Sequence, residues 1–499
     1  MALQPSSPPQ QNARTLVMKF GGTSIGTPGA MSQAAEIVRA TLPDWPRLVV
    51  VVSALSKVTD LLIESTTRAA EGDLTAIHLA ESRLRELHFA IADQLLGEGS
   101  PANDPARCLQ VKQEINHLIA SLTNLYQAVS VLGEATPRAL DAIVAHGERL
   151  CVRLMVSVLE SRGVPAQMVE ATQLIQTDHH YQAAHPNFET TTKRTRQVLE
   201  PILAKGIVPV VTGFIGATSN GITTTLGRGG SDYSAAILGA VLPADDVWVW
   251  TDVDGVMTAD PRTIPEARTV ESLNYREIAE LAYFGAKVLH PKAIRPVIEA
   301  GIGLRICNTF NPQHPGTRLV SNGYLQNHAV DARTCLKAVT AVRGQRMVIV
   351  EGRGMLGVPG VAARTFGAVA STGTSVSLIT QASSEQSICF AVPSEAAGQI
   401  AEALNAAFSQ ELALRDIDCI QVTGEVAIIT VVGADMNKTP GVAGQIFSAL
   451  GMQNVNIVAI AQGSSDVATS LVVEQSDAEQ AVRAIHDLIL ASQSEAPAR

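Results

Sequence analysis

From Thr15 onward, short runs of consecutive apolar residues alternate with stretches whose apolar positions recur at helical spacing. That alternation predicts an α/β domain, a mostly parallel sheet sandwiched by helices. The predicted strands cover 16–20, 48–53, 208–212, 246–251 and 304–308. Between about Asp60 and Val131 the period changes. Leu84, Leu87, Ile91 and Leu95, then Val111, Ile115, Leu118, Leu122 and Leu125, fall at spacings of three and four. With the break GEGSPANDP between the two sets, this segment predicts a helical hairpin laid on the α/β body, with a packing role.

The last third of the chain repeats itself. Aligning Pro359 with Pro440 brings residues 351–385 and 432–466 into register without a gap. Each copy runs strand, Pro-Gly loop, helix with a central Phe (Phe366, Phe447), strand, and then Gln-x-Ser-Ser at Gln381 and Gln462. A further strand and a helix follow, and the βαββα order predicts two ferredoxin-like modules. Gly352, Gly354 and Gly357 spell G-x-G-x-x-G between a strand and a helix, the setting of a dinucleotide site. The second copy carries Asp435 and Lys438 where the first has Gly354 and Gly357, so the module is not built around a pyrophosphate.

Composition narrows the class. With 499 residues, two to four domains are expected, and 46% hydrophobic against 17% charged residues suits buried α/β domains. Apolar runs such as 48–52 are too short to span a bilayer, and no signal-peptide pattern follows Met1. Residues 1–14, polar and Pro-rich, are expected to form a disordered tail. Cys108, Cys151, Cys307, Cys335, Cys389 and Cys419 form no C-x-x-C pair, which fits a reducing, cytoplasmic setting. The net charge of −10 without a basic block argues against a nucleic-acid binder. An anionic substrate must therefore be met by local positive charge.

Several segments could supply it. VMKFGGTS (17–24) ends a predicted strand on Lys19 and turns through Gly21 and Gly22, which would let backbone N–H groups approach phosphate; a plain βα turn fits the segment alone equally well. In TTTLGRGGSDYSAAILGA (223–240) Arg228, between glycines, offers a planar fork for a carboxylate, with Asp232 in the first helical turn. Ser231 or Asp232 could instead be a helix cap. WTDVDGVMTADPR (250–262) breaks a strand at Thr251-Asp252, and Asp254-Gly255 suits a tight turn better than a calcium loop. FGAKVLHP (284–291) presents Lys287 near a helix end. Glu148, in AHGERL (145–150), is by itself more often a capping-box acid than a ligand. His179, His180 and His185 lie in a polar loop without metal-ligand spacing, and no metal ligands are assigned. No Walker signature occurs, so an ATP user must cradle phosphate differently.

Taken in order, KFGGTS, VVSALSKVTD, HGERL, GRGGSDYSAA, WTDVDGV, TADPR and FGAKVLHP resemble the aspartokinase family, and the repeat resembles its tandem ACT regulatory domains. The stretches SLITQASSEQSICFAVP and NIVAIAQGSSD look most like the kinase–regulatory half of bifunctional aspartokinase–homoserine dehydrogenases. With the chain ending at Arg499, the second activity is not expected. The resemblance implies an amino-acid-kinase domain over 15–320, with a helical insertion at about 60–131. It also implies ACT domains over 336–415 and 420–492. It implies that Lys19, Phe20, Gly21 and Gly22 bind ATP, with Thr251, Asp252, Met257, Arg262, Lys287 and Val288 completing the nucleotide site. Met257 stands where many relatives have an aromatic residue. Thr59, Glu148 and Arg228, with Gly229, Gly230 and Ser231, would hold aspartate, Glu148 meeting its α-ammonium and Arg228 its α-carboxylate. Asp232 would organise the catalytic lysine charge. ATP and Mg²⁺ are the implied cofactors.

Two other classes remain open: a sister kinase acting on glutamate, acetylglutamate, carbamate or UMP, and a non-catalytic amino-acid sensor. The expected partners are small-molecule substrates and an amino-acid effector, not nucleic acid or membrane, in a homodimer or larger homo-oligomer. Gln381 and Gln462, equivalent in the two copies, each offer a donor and an acceptor to a small hydroxylated ligand. Lysine-sensitive relatives tend to place a carboxylate where this chain has Ser377. Threonine is therefore the expected effector, with lysine the alternative.

Overall fold

The computed structural model describes residues 14–284, 289, 291–320, 335–355, 358–381, 386–462 and 466–494. Residues 1–13 of the tail expected at 1–14, together with Lys287 and Val288, lie outside them, whereas Arg14 is described, its guanidinium 3.9 Å from the centre of the Trp45 ring. The chain divides into two compact units, one of Met1–Val256, Glu271–Tyr275 and Val288–Tyr324, the other of Met257–Val270, Arg276–Lys287 and Leu325–Arg499.

In chain order the first part runs β1 (Thr15–Phe20), α1 (Gly22–Ile25), α2 (Pro28–Thr41), β2 (Arg47–Val52), α3 (Val58–Ala70), α4 (Leu74–Leu96), α5 (Pro105–Leu132), α6 (Pro137–Val144) and α7 (His146–Ser161). It continues with β3 (Ala166–Val169), α8 (Phe188–Leu203), β4 (Val208–Thr212), β5 (Ile215–Ala217), β6 (Thr223–Thr225), α9 (Gly230–Val241) and β7 (Asp246–Thr251). Then come β8 (Ser272–Asn274), α10 (Tyr275–Tyr283), α11 (Pro291–Ala300), β9 (Gly303–Asn308) and β10 (Thr317–Val320).

Among the described residues, eight strands form one sheet in the order β3-β4-β2-β1-β7-β9-β10-β8, in which only the β9–β10 pair is antiparallel. β1 and β4 are buried at every position, which is why they read as unbroken apolar runs: helices cover both faces. β2 leaves β1 on one side and β7 returns on the other, so the strand order reverses at β1. In open α/β sheets the crevice at the carboxyl ends of such strands is where ligands bind.

The predicted hairpin is α4 and α5. Leu84, Ile91, Ile115 and Leu122 are buried in the same apolar cluster as Leu16, Met18, Val50 and Val52 of the sheet. Asp73 and Asp104 cap the two helices by accepting from backbone N–H groups of their first turns. The hairpin therefore extends the core. Within it His88 is fully buried, donates Nδ1–H to the Leu84 carbonyl at 2.7 Å, and is held down to about 4 by loss of water.

The second part runs β11 (Leu336–Glu351), α12 (Val361–Ser371), β12 (Leu378–Gln381), β13 (Ser387–Pro393), α13 (Ala397–Ala407), α14 (Ser409–Leu414), β14 (Cys419–Gly433), α15 (Val442–Met452), β15 (Ala459–Ala461), β16 (Ala468–Glu474) and α16 (Ala478–Ser494). Both copies have the expected βαββα order, but they share one antiparallel sheet, β12-β13-β11-β14-β16-β15. β11 and β14 are long and irregular at Val342/Gln345. Beyond that point Val348–Glu351 pairs with Cys419–Val422 beside β13; before it, Leu336–Val342 pairs with Ile428–Gly433 beside β16. Each copy thus borrows its fourth strand from the other. Gly352 and Gly354 are explained here too: a Cβ on either would come within 2.5 Å of the Asp416–Ile417 backbone, so the glycines admit protein backbone and not a phosphate. Gly357 lies outside the described residues.

His88 generates a stability prediction. Its native value lies below the ordinary 6.5, so between about pH 6.5 and 4 the unfolded chain binds a proton that the native one refuses. Stability should be complete above that range and fall as pH drops through it, by up to about 3 kcal/mol for this imidazole. His88→Leu should flatten that part of the curve in thermal melts; an unchanged slope would show that His88 titrates normally.

Candidate active site

The carboxyl ends of the central strands are tied to one another by backbone. Gly21 N–H donates to Trp250 O (3.1 Å), Ser53 N–H to Phe20 O (3.2 Å) and Gly213 N–H to Val52 O (2.8 Å). The loops leaving β1, β2 and β4 are thus drawn together around a cleft of about 540 Å³. It brings together Lys19, Gly22, Thr59, Glu148, Arg228, Gly229, Gly230, Ser231 and Asp232.

Lys19 is 8% exposed, and its Nζ lies 2.5 Å from Oδ1 of Asp232 in the first turn of α9. Gly22 is required next to it, since a Cβ there would meet Ala54 O at 2.9 Å. Arg228 is exposed at the cleft, bracketed by Gly227 and Gly229 at φ of +80° and +72°. Both are left-handed, which is why glycines flank it. Ser231 does not cap α9 with its side chain; the N-cap is Gly229.

Glu148 is 2% exposed. It does not close a capping box, since α7 has no side-chain cap. Instead Oε1 accepts from Ala54 N–H at 3.1 Å across 94 residues of sequence, and Oε2 is buried with no hydrogen-bond partner among the described residues. Burial raises this carboxyl from 4.5 to about 8. Burial of a carboxyl without a charged partner is what raises its value, and a cation beside it would lower that value again.

Other expected residues lie elsewhere. Phe20 is a core side chain, stacked on Trp250 at 5.9 Å. Thr251 and Asp252 close β7, with the Thr251 hydroxyl donating to Asp252 at 3.2 Å, and neither lines the cleft. Met257 and Arg262 belong to the second compact unit, where the Arg262 fork is taken by Asp260 at 2.6 and 3.0 Å. Asp254 accepts from Asn308 and Asn311 at 2.9 and 3.0 Å, and Gly255 has φ +124°, the turn expected of this pair. The His179–His185 loop is exposed and organised by Asp178, which accepts from the N–H groups of His180 and His185. Gln381 ends β12 and Gln462 follows β15, both exposed. The two strands adjoin, the Thr380 hydroxyl donating to Ile460 O at 3.3 Å.

Sequence reasoning missed Lys57, Asp141, Gln182 and Phe214, which also line the cleft. Lys57, Gln182 and Phe214 have φ of +65°, +68° and +66°. Nothing local announces such conformations in residues with side chains. The only signal was indirect: Gly230 must be glycine because a Cβ would lie 2.6 Å from the Phe214 ring.

A parallel sheet with this cleft at its strand ends, followed by an interlocked pair of βαββα modules, defines an amino-acid kinase carrying ACT modules. The amino acid kinase family model matches residues 14–308, and the ACT domain model matches 348–408 and 429–488. Bifunctional aspartokinase/homoserine dehydrogenase 1, chloroplastic, of Zea mays is 37% identical over 480 residues, covering 96% of this chain and 50% of that protein. The chain thus spans about half the length of that relative. Lysine-sensitive aspartokinase 3 of Escherichia coli is 32% identical over 94% of this chain and 98% of its own. The structure of E. coli aspartokinase III with aspartate and ADP (R-state) superposes with a TM-score of 0.76 at 29% identity, covering 95% of this chain and 100% of that one. This chain belongs to the aspartokinase family.

The Glu148 carboxyl predicts a pH effect of opposite sign to that of His88. Its native value is raised, so the protonated form stabilises the native state, and this contribution is lost as pH rises through about 8. Glu148→Gln keeps the acceptor for Ala54 N–H and removes the charge. Without ligand it should be more stable than the parent above pH 8, by up to about 5 kcal/mol, and nearly equal to it near pH 5. Parallel melting curves at pH 9 would refute the buried-acid assignment.

Proposed function

We propose that this chain is an aspartate kinase converting ATP and L-aspartate to ADP and 4-phospho-L-aspartate, the entry to lysine, threonine and methionine biosynthesis. The observation that carries this is one cleft holding the unpartnered Glu148 Oε2, the Arg228 fork and the Lys19–Asp232 pair. A cation acceptor and a carboxylate fork in one cleft suit the two charges of an α-amino acid. Glu148 would take the α-ammonium and Arg228 the α-carboxylate, with Thr59, Gly229, Gly230 and Ser231 beside them. A β-carboxylate oxygen then attacks the γ-phosphorus, and the bond from that phosphorus to the ADP oxygen breaks.

Two anions must approach, so positive charge has to gather where negative charge develops. Lys19 supplies it, and Asp232, 2.5 Å from its Nζ, keeps the ammonium aimed. Phe20, Gly21, Gly22, Thr251 and Asp252 form the proposed nucleotide side, with Phe20 acting by holding β1 in place. Among the described residues no group of three or more His, Cys, Asp or Glu side chains is placed to hold a metal. Mg²⁺ is proposed to enter with the nucleotide, where it would shield phosphate charge.

The ACT modules suggest control by an amino acid. Threonine is proposed as the effector, with lysine the alternative that the name of the E. coli relative raises. Gln381 and Gln462 stand at the ends of adjoining strands, and Ser377 donates its hydroxyl to Gln345 at 3.0 Å, so no carboxylate stands at that position for a lysine ammonium. Inhibition follows if threonine binds a less active arrangement better than the active one. A homodimer or larger assembly is proposed because Ile379 and Ile460, on those same strands, are 52% and 43% exposed. A cytoplasmic location is proposed because Cys108, Cys151, Cys307, Cys389 and Cys419 are thiols outside any disulfide. No helix among the described residues is long and apolar enough to cross a membrane.

In a hydroxylamine-trapping assay, aspartate with ATP should yield the hydroxamate. Preference for glutamate, acetylglutamate, carbamate or UMP would move the chain to a sister activity. Arg228→Lys should raise the aspartate KM strongly and the ATP KM little, because a lysine cannot bind both carboxylate oxygens. Lys19→Ala should lower kcat by about a hundredfold or more. It should also lower Tm, since it strands the Asp232 carboxylate.

The effector assignment is tested by titrating each aspartate-family amino acid into the assay. Threonine should inhibit, and Gln381→Ala and Gln462→Ala should each raise the concentration needed while leaving uninhibited turnover near that of the parent. A parent that ignores threonine and answers to lysine reverses the choice of effector. Unchanged responses in both variants would remove the glutamines from the site.

A further inference from the structure

Asp141, in the middle of α6, is 0% exposed. Among the described residues it is assigned no ion pair, and burial raises its carboxyl above the usual range. What holds it is a set of donors from two separate segments. Oδ2 accepts from Thr225 N–H at 2.9 Å and Oδ1 from the Thr225 hydroxyl at 2.8 Å. Gln182 N–H lies 3.0 and 3.1 Å from the two oxygens.

Both segments lead to Arg228. Thr225 closes β6, and Arg228 follows three residues on. Gln182 is left-handed at φ +68°, a conformation costly for a residue with a side chain unless its surroundings impose it. Its carbonyl is so close to Gly227 that a Cβ there would stand 2.9 Å away. Ala184 N–H also donates to Thr225 O at 2.9 Å, and the Thr177 and Thr224 hydroxyls meet at 2.7 Å. The histidine loop is therefore the backing of the Arg228 turn, and one buried carboxylate staples the two together.

We infer that Asp141 is a positioning residue for substrate recognition: by clamping Thr225 and Gln182 it fixes the Gly227–Gly229 turn, and with it the direction of the Arg228 fork. This rests on the aspartate-kinase reading, in which Arg228 binds the α-carboxylate. Displacing a bidentate fork by a fraction of an ångström weakens the amino-acid substrate far more than the nucleotide, which does not use it.

Asp141→Asn is nearly isosteric but turns an amide donor toward donors that need an acceptor. The aspartate KM should rise roughly tenfold or more, with the ATP KM within about twofold. Aspartate should lose its protection against thermal unfolding while ATP retains it. Thr225→Val removes the hydroxyl donor and keeps the backbone one, so it should move the aspartate KM in the same direction by less. Equal rises in both KM values, or a lower Tm with both KM values unchanged, would overturn the inference. Should Asp141→Asn not fold, an unaltered aspartate KM in Thr225→Val overturns it alone. A parent enzyme that does not phosphorylate aspartate would instead overturn the functional reading beneath it.

Discussion

An ammonium group nine-tenths removed from water needs a carboxylate against it, and much of the first unit is arranged to meet that demand. Lys19 rises from the fully buried β1, and Asp232 reaches it at 2.5 Å from the first turn of α9. For the pair to form, the turn after β1 must be tight and the loop before α9 must deliver its helix start to the same point. Gly22, Gly227 and Gly229 are the consequences. Removing one partner of such a pair costs about 3–5 kcal/mol because the other stays buried, so site and fold are coupled here.

Around that pair the cleft holds charge in two conditions. Lys19 and Asp232 are joined as an ion pair at 2.5 Å, whereas Glu148 is buried with no charged partner among the described residues and is raised to about 8. The first arrangement holds a charge ready for a reaction. The second leaves a carboxyl that a cation beside it would stabilise in its charged form. Three left-handed residues with side chains, Lys57, Gln182 and Phe214, line the same cleft, and strain concentrated this way belongs to a binding site more than to a folding core.

The second unit follows a different rule. A βαββα copy leaves one strand position unfilled, and each copy fills the other's through the bent strands β11 and β14. Neither small sheet is complete alone, so the pair is the folding unit. That arrangement also sets β12 beside β15, the two strands carrying Gln381 and Gln462.

Local pattern was enough to read the parallel strands, because strands covered on both faces are unbroken apolar runs; β4 and β7 begin and end where the pattern placed them. The same holds for the α4–α5 hairpin and the βαββα copies, since helical spacing and repetition are properties of short windows of sequence. Lys19, Arg228 and Asp232 stood out because glycines or a strand end framed them. Tertiary structure alone decided the rest. Glu148 resembles a helix-start acid until Ala54, far away in sequence, takes one of its oxygens. Asp141 sits in an ordinary amphipathic helix until two distant segments bring it their N–H groups. The shared sheet of the two copies could not be read from either copy. In each case the deciding contact joins residues far apart in the chain, and burial, which sets the charge state of a carboxyl, exists only once the chain has folded around it.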